Sequence, residues 1–205
     1  MTARPRVAPA YFSQWESEAL VPEFLAGRDA ATDPLWHLSG AADAAEYARW
    51  AHHLCGVASL RMALAALGRE VPSAHALRRE VQRLGGYVER GDGDIAGLIY
   101  RGAVDWLAAR CIPARIALDE PCADIPAKLA RGALYVASVH AAIRLPGEEP
   151  PRQGGHLVLV FGQDRAGRLR FHNPSGHTPA SRRDARLPVA EFARYHADRG
   201  IVIGG

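Results

Sequence analysis

The stretch AHHLCGVASLRMALAALG, residues 51–68, decides how this chain is read. Val57, Leu60, Leu64 and Leu67 recur at helical spacing, and Gly68 follows where a left-handed residue commonly ends a helix. The spacing predicts a helix over about 55–67 that opens on Cys55 and Gly56. At 100° per residue, Cys55 lies roughly 160° from Val57, on a side of small residues where a second layer or a cleft would sit. Free cysteines are often simply buried. One at a helix start and off the apolar stripe is also a candidate nucleophile, because a helix N-terminus and a nearby imidazolium favour the thiolate.

The same reading extends in both directions from that helix. Upstream, residues 1–10 are expected to form a loose arm, YFSQW (11–15) a short strand or extended lead-in, and AADAAEYARWAHH a helix. Downstream, helices are predicted over about 73–84 (Ser73 as N-cap), 96–110 and 123–131, with CIPARIAL giving a short strand. The second half changes character. ALYVASVHAAIR (133–144), HLVLVFGQD (156–164) and RLRFHNPS (168–175) are strand-like runs rich in Val, Leu and aromatics. PVAEFARYHA then reads as a helix and GIVI as a last strand. Helices first and antiparallel strands afterwards define an α+β fold, a helical layer packed on a C-terminal sheet. No repeat or long linker divides the 205 residues, which are read as one domain.

Composition narrows the function classes. The chain has three cysteines and no C-x-x-C pair, so it shows neither a disulfide framework nor a cysteine-rich zinc site. No run approaches the length of a membrane span, and the N-terminus has no apolar segment of signal-peptide length; a cytoplasmic location is expected. The net charge is +3, and the basic residues, arginines apart from Lys128, are scattered. Arg182, Arg183 and Arg186 form the densest group, beside Asp184 and without interleaved aromatics, which argues against nucleic-acid binding. No metal or cofactor is called for: His52 and His53, adjacent in sequence, point differently and make a poor metal pair.

The strands HLVLVFG and RLRFHN are joined by QDRAG, a link suited to a hairpin. Centred near Arg165 and Ala166, it places residue 158 opposite 173, so His156 and Asn173 fall about one diagonal step apart. Alternation puts His156 with Val158 and Val160, and Asn173 with Leu169 and Phe171 on the inward face. His172 is assigned to the opposite, charged face. A thiolate nucleophile, a histidine that accepts and returns the proton, and an amide that orients the histidine form a complete acyl-transfer set. Cys55, His156 and Asn173 fill those roles, with Gln14 as candidate oxyanion donor. Cys111 and Cys122 read as packing or loop cysteines, His140 as a sheet residue, and LPGEEPPRQGG before His156 as a solvated connector able to gate substrate.

At these residues the chain resembles the C39-like branch of the papain-like cysteine peptidases. The matching pieces are YFSQW, CGVASLRMAL, GGHLVLVFG and FHNPSG, in that order over residues 11–176. The resemblance implies a helical layer on an antiparallel sheet, a cleft between them, and the roles above for Cys55, His156, Asn173 and Gln14. It departs at Leu54, where transporter-linked members commonly have Asp, at Val57, where many have Pro, and at Asn173, where Asp is commoner. Gln14 also stands much farther before the cysteine than in those members.

The expected activity is hydrolysis of a peptide or other amide through a thioester acyl-enzyme, with association to a precursor peptide or an exporter as the partner expectation. Two alternatives stay open: an acyltransferase or cyclase of secondary metabolism using the same three residues, and an inert binding module.

Overall fold

The computed structural model describes residues 7–91, 94–147 and 149–205. Among the described residues, eight α-helices and six strands run in the order α1 (Val21–Leu25), α2 (Ala44–Ala51), α3 (Cys55–Ala66), α4 (Ala74–Arg83), α5 (Tyr100–Ala108), β1 (Ala114–Ala117), α6 (Ile125–Ala130), β2 (Leu134–Val139), β3 (His156–Gln163), β4 (Leu169–His172), α7 (Pro179–Arg182), β5 (Ala185–Leu187), α8 (Val189–Tyr195) and β6 (His196–Ile203). All strand pairings are antiparallel, in the spatial order β1-β6-β2-β3-β4-β5. The α+β class read from the sequence is the one observed.

Strand alternation explains the layering. Leu134 and Val136 of β2 and Leu157, Leu159 and Phe161 of β3 face α3, α4 and α5, in a core shared with Val57, Leu60, Leu64, Leu77 and Trp106. Their neighbours Tyr135, Ala137, Val139, Val158 and Val160 face the other way, against Ile125 of α6 and Phe192 and Tyr195 of α8. A third cluster, Trp15, Val21, Phe24, Tyr47 and Ala51, seats the N-terminal segment beside α2. Both faces of the sheet are therefore covered, and β2 is buried along its whole length.

This overturns one face assignment. His172 is not on a charged, solvated side: it is 2% exposed. Its ring packs 4.7 Å from that of Phe161 and edge-on to Tyr11, and Nε2 bonds the Pro9 carbonyl at 2.9 Å. The N-terminal chain covers what alternation alone left open. Residues 1–6 of the expected arm lie outside the described residues.

The hairpin register holds at its inner end, where Leu159 pairs with His172 and Val160 with Phe171; a bulge at Phe161 then shifts it by one. Other boundaries move for identifiable reasons. The helix expected from 96 starts at Tyr100, because Ala96 and Ile99 donate their N–H groups to Val88 and Gly86. The strand expected to reach 144 ends at Val139, where His140 Nδ1 accepts from Ala142 N–H and caps a 3-10 turn. The last helix stops at Tyr195, and β6 starts at His196, paired with Val139. YFSQW joins no strand ladder and bends at Gln14 and Trp15, and α7 and β5 have no counterpart in the sequence reading.

Candidate active site

Helix α3 opens on Cys55 with Leu54 as a non-helical N-cap that contributes no capping side chain. The first-turn N–H groups are left without intrahelical partners. Those of Cys55 and Gly56 favour a thiolate, as does the Leu157 N–H of β3, which reaches the same sulfur. The nucleophile candidate therefore touches the residue next to His156. Gly56 permits that approach: a Cβ there would stand 2.7 Å from Leu98 Cβ and 3.1 Å from Leu157 Cδ1. Cys55 itself is half-buried and packs against the α3 core, so its off-stripe position does not isolate it from the interior.

His156, 3% exposed, is the first residue of β3. It follows Gly154 and Gly155, whose φ values of +80° and +97° are strained for any side chain. Its Nε2 lies 2.8 Å from Asn173 Oδ1. The Asn173 amide has an unambiguous orientation, because Oδ1 also accepts the Ser175 backbone N–H at 3.1 Å. An oxygen already accepting from a backbone donor can only accept from the ring, so Nε2 carries the hydrogen and Nδ1 keeps a lone pair. Asn173 is fully buried, and its backbone is pinned by Arg182 O, Gly176 N–H and the Tyr11 hydroxyl.

Gln14 connects the two halves of the site. Its backbone N–H donates to Pro174 O at 2.9 Å, and its Nε2 to Ala51 O at 2.8 Å, just before Cys55. One hydrogen of Nε2 is thereby engaged and the second remains for another acceptor.

Two participants escaped sequence reading. Ser175 Oγ lies 3.2 Å from His156 Nε2 and accepts from Arg144 Nε at 2.9 Å. Ser175 was visible in the NPS string but had no assigned role. Arg144, expected at the end of a strand, projects instead from the 3-10 turn that His140 caps, and no sequence signal marked it.

The electrostatics differ from the expected thiolate–imidazolium pair. Burial pushes the Cys55 thiol up, with the Leu157 N–H, the Arg144 charge and the helix's own N–H groups opposing. Burial pushes His156 down to about 3; the Arg144 charge acts in the same direction, and the Asn173 bond opposes. Both shifts favour the uncharged forms, a thiol at Cys55 and an imidazole at His156.

The remaining expectations lie elsewhere. His52 is exposed, edge-on to Trp15 at 5.2 Å, and His53 is half-buried. Cys122 is buried and Cys111 exposed. The connector before His156, apart from Glu148, which lies outside the described residues, is tied to α8 through Glu149–Arg194 and Gln153–Ala193 O. Concavities of about 510 Å³ along α4 and about 220 Å³ bordered by Ile143, Pro146, Phe171 and Thr178 do not include Cys55. No group of three metal-ligating side chains occurs among the described residues, and none of their helices is long and apolar enough to cross a membrane.

No family model and no curated protein matches the sequence. The fold does match solved structures. The peptidase domain of Streptococcus ComA, a bifunctional ABC transporter of a quorum-sensing pathway, is 15% identical with a TM-score of 0.53, over 75% of this chain and 92% of that one. A C39-like peptidase from Bacillus anthracis is 14% identical with a TM-score of 0.54, over 75% of this chain and 89% of that one. At such identities the likeness is one of fold: this chain has the mixed helix and antiparallel-sheet architecture of C39 peptidase domains.

Proposed function

We propose that the chain acts as one domain, a cysteine hydrolase of peptides or related amides, with Cys55 as nucleophile, His156 as base and acid, and Asn173 as the residue that holds His156 in its Nε2–H form. One observation carries this reading. The histidine whose free nitrogen is defined by the Asn173–Ser175 arrangement is followed directly in β3 by Leu157, which packs on the first turn of the helix that carries Cys55. This supports a proton transfer between the two side chains.

As Cys55 Sγ attacks the substrate carbonyl carbon, its proton passes to His156 Nδ1 and the carbonyl π electrons move onto oxygen. The Cys55 N–H and the second Nε2 hydrogen of Gln14 are the proposed oxyanion donors. Collapse of the tetrahedral adduct breaks the C–N bond, and the leaving nitrogen takes the proton from Nδ1. Water then attacks the thioester, gives its proton to Nδ1, and expels Cys55, which is reprotonated.

The test combines a random peptide library, mass spectrometry and ¹⁸O-labelled water. Wild type should release fragments carrying one ¹⁸O in the new carboxylate, and Cys55→Ala should release none while keeping its circular dichroism spectrum. Equal cleavage by both would remove Cys55 from the mechanism. The neutral resting pair also favours a second reading, an inert binding module on the same fold. Its signature would be a folded wild type that cleaves nothing, with a Cys55 alkylated by iodoacetamide no faster than Cys111.

A further inference from the structure

Arg144 stands at the site with no carboxylate partner among the described residues. Its Nε reaches Ser175 Oγ, which lies 3.2 Å from His156 Nε2, and its charge bears on Cys55 and His156. Among the described residues only its Nε has a hydrogen-bond partner, Ser175 Oγ. Among the described residues no carboxylate lies within 4 Å of it, and Cys55 is the one titratable group that favours its charge. Arg144 is half-buried, and the fold treats other arginines withdrawn from solvent differently. Arg61 has Glu16 at 3.9 Å, Arg78 has Glu46, Arg170 has Asp184 at 2.7 Å, and Arg182 has Glu18 at 3.7 Å. A partly desolvated charge without a counter-ion is costly, and a planar guanidinium whose Nη groups have no partner among the described residues matches a carboxylate geometrically.

We propose that Arg144 binds a carboxylate of the substrate beside the bond to be broken, so that the preferred substrate is anionic next to its scissile amide. This rests on the reading of Cys55 as nucleophile. The same contact has a catalytic consequence. An empty Arg144 opposes the imidazolium that forms when His156 takes the thiol proton. A bound carboxylate cancels that opposition, so the correct substrate restores the base it needs. Charge stabilisation of the thiolate alone would not call for a tether to Ser175, which fixes the plane of the guanidinium.

Two small alkylating agents test the idea without knowledge of the natural substrate. Iodoacetate carries the carboxylate and iodoacetamide is its neutral counterpart, with exposed Cys111 as the reference thiol in the same chain. The iodoacetate-to-iodoacetamide rate ratio, read by peptide mapping, should be at least about tenfold higher at Cys55 than at Cys111, the effect of one charge-assisted bond. Arg144→Gln should return the ratio to that of Cys111, and Arg144→Lys should keep part of the preference. Equal ratios at the two cysteines in wild type would overturn the proposal while leaving the nucleophile standing; a Cys55 inert to both reagents would overturn both. Should the Gln variant not fold, protection of wild-type Cys55 from iodoacetamide by acetate decides in its place, and its absence counts against the proposal. Peptides of one sequence with a free C-terminus, with an amidated C-terminus, and amidated with an internal Asp then separate a chain-end carboxylate from a side chain. Protection by none of them also refutes it.

Discussion

Lowering the pH should unfold this protein through its neutral histidines before its carboxylates titrate. His156 is held near 3 in the fold against an ordinary value of 6.5, chiefly by burial. A depressed histidine contributes stability that is present above the unfolded value and lost as pH falls toward the folded one, because the unfolded chain then binds the extra proton. Between pH 7 and pH 5 the loss from His156 alone is about 2 kcal/mol, a sizeable part of the usual 5–15 kcal/mol of a domain. Below about pH 6 the slope approaches about 1.4 kcal/mol per pH unit for this one group. His75 adds in the same direction: it is fully buried, neither ring nitrogen has a hydrogen-bond partner, and burial and Arg78 push it down. The carboxylates that matter, Asp33, Glu120 and Asp184, are held below their ordinary range and act at lower pH. Urea unfolding of wild type and His156→Gln across this range is the assay. The two stability curves should converge as pH falls, the variant losing one proton's slope. Parallel curves from about pH 6.5 to 4.5 would refute the claim that His156 is neutral because it is buried.

Two further substitutions probe the frame of the site. Asn173→Ala should lower kcat by about tenfold to a hundredfold and cost about 1–3 kcal/mol, since it strands the His156 Nε2–H and the Ser175 N–H. Asn173→Asp, which still accepts both, should keep most activity; loss equal to that of Ala would show that orientation is not the role of Asn173. Gly56→Ala should cost about 1–3 kcal/mol in urea unfolding, because its Cβ would meet Leu98 and Leu157. A variant as stable as wild type would mean that α3 does not seat tightly on β3.

How far the sequence reaches depends on the range of the forces involved. Local periodicity located α3, α4 and the strands at the middle of the sheet, because their side chains alternate or spiral against a common core. It failed where a partner distant in sequence takes the backbone donors. Residues 96–99 read as helical, but the N–H groups of Ala96 and Ile99 are taken by the Val88 and Gly86 carbonyls. The misplacement of His172 has the same origin: only the folded N-terminal chain, with Pro9 and Tyr11, supplies the cover that makes that face interior.

The candidate residues were legible one by one; their charge state was not. Cys55, His156, Asn173 and Gln14 each sit beside a local signal, a helix start, a strand start, an Asn-Pro turn and an aromatic lead-in, and the fold brings the His156 and Asn173 side chains into contact. The protonation they adopt depends on burial and on Arg144, a residue that reaches them from a 3-10 turn with no pattern of its own. A helix N-terminus by itself favours a thiolate, yet here desolvation outweighs it, and the Arg144 charge disfavours the imidazolium while it favours the thiolate. Both effects work against a thiolate–imidazolium pair. If Arg144 takes up the carboxylate of a substrate, its neutralisation eases the protonation of His156 as well.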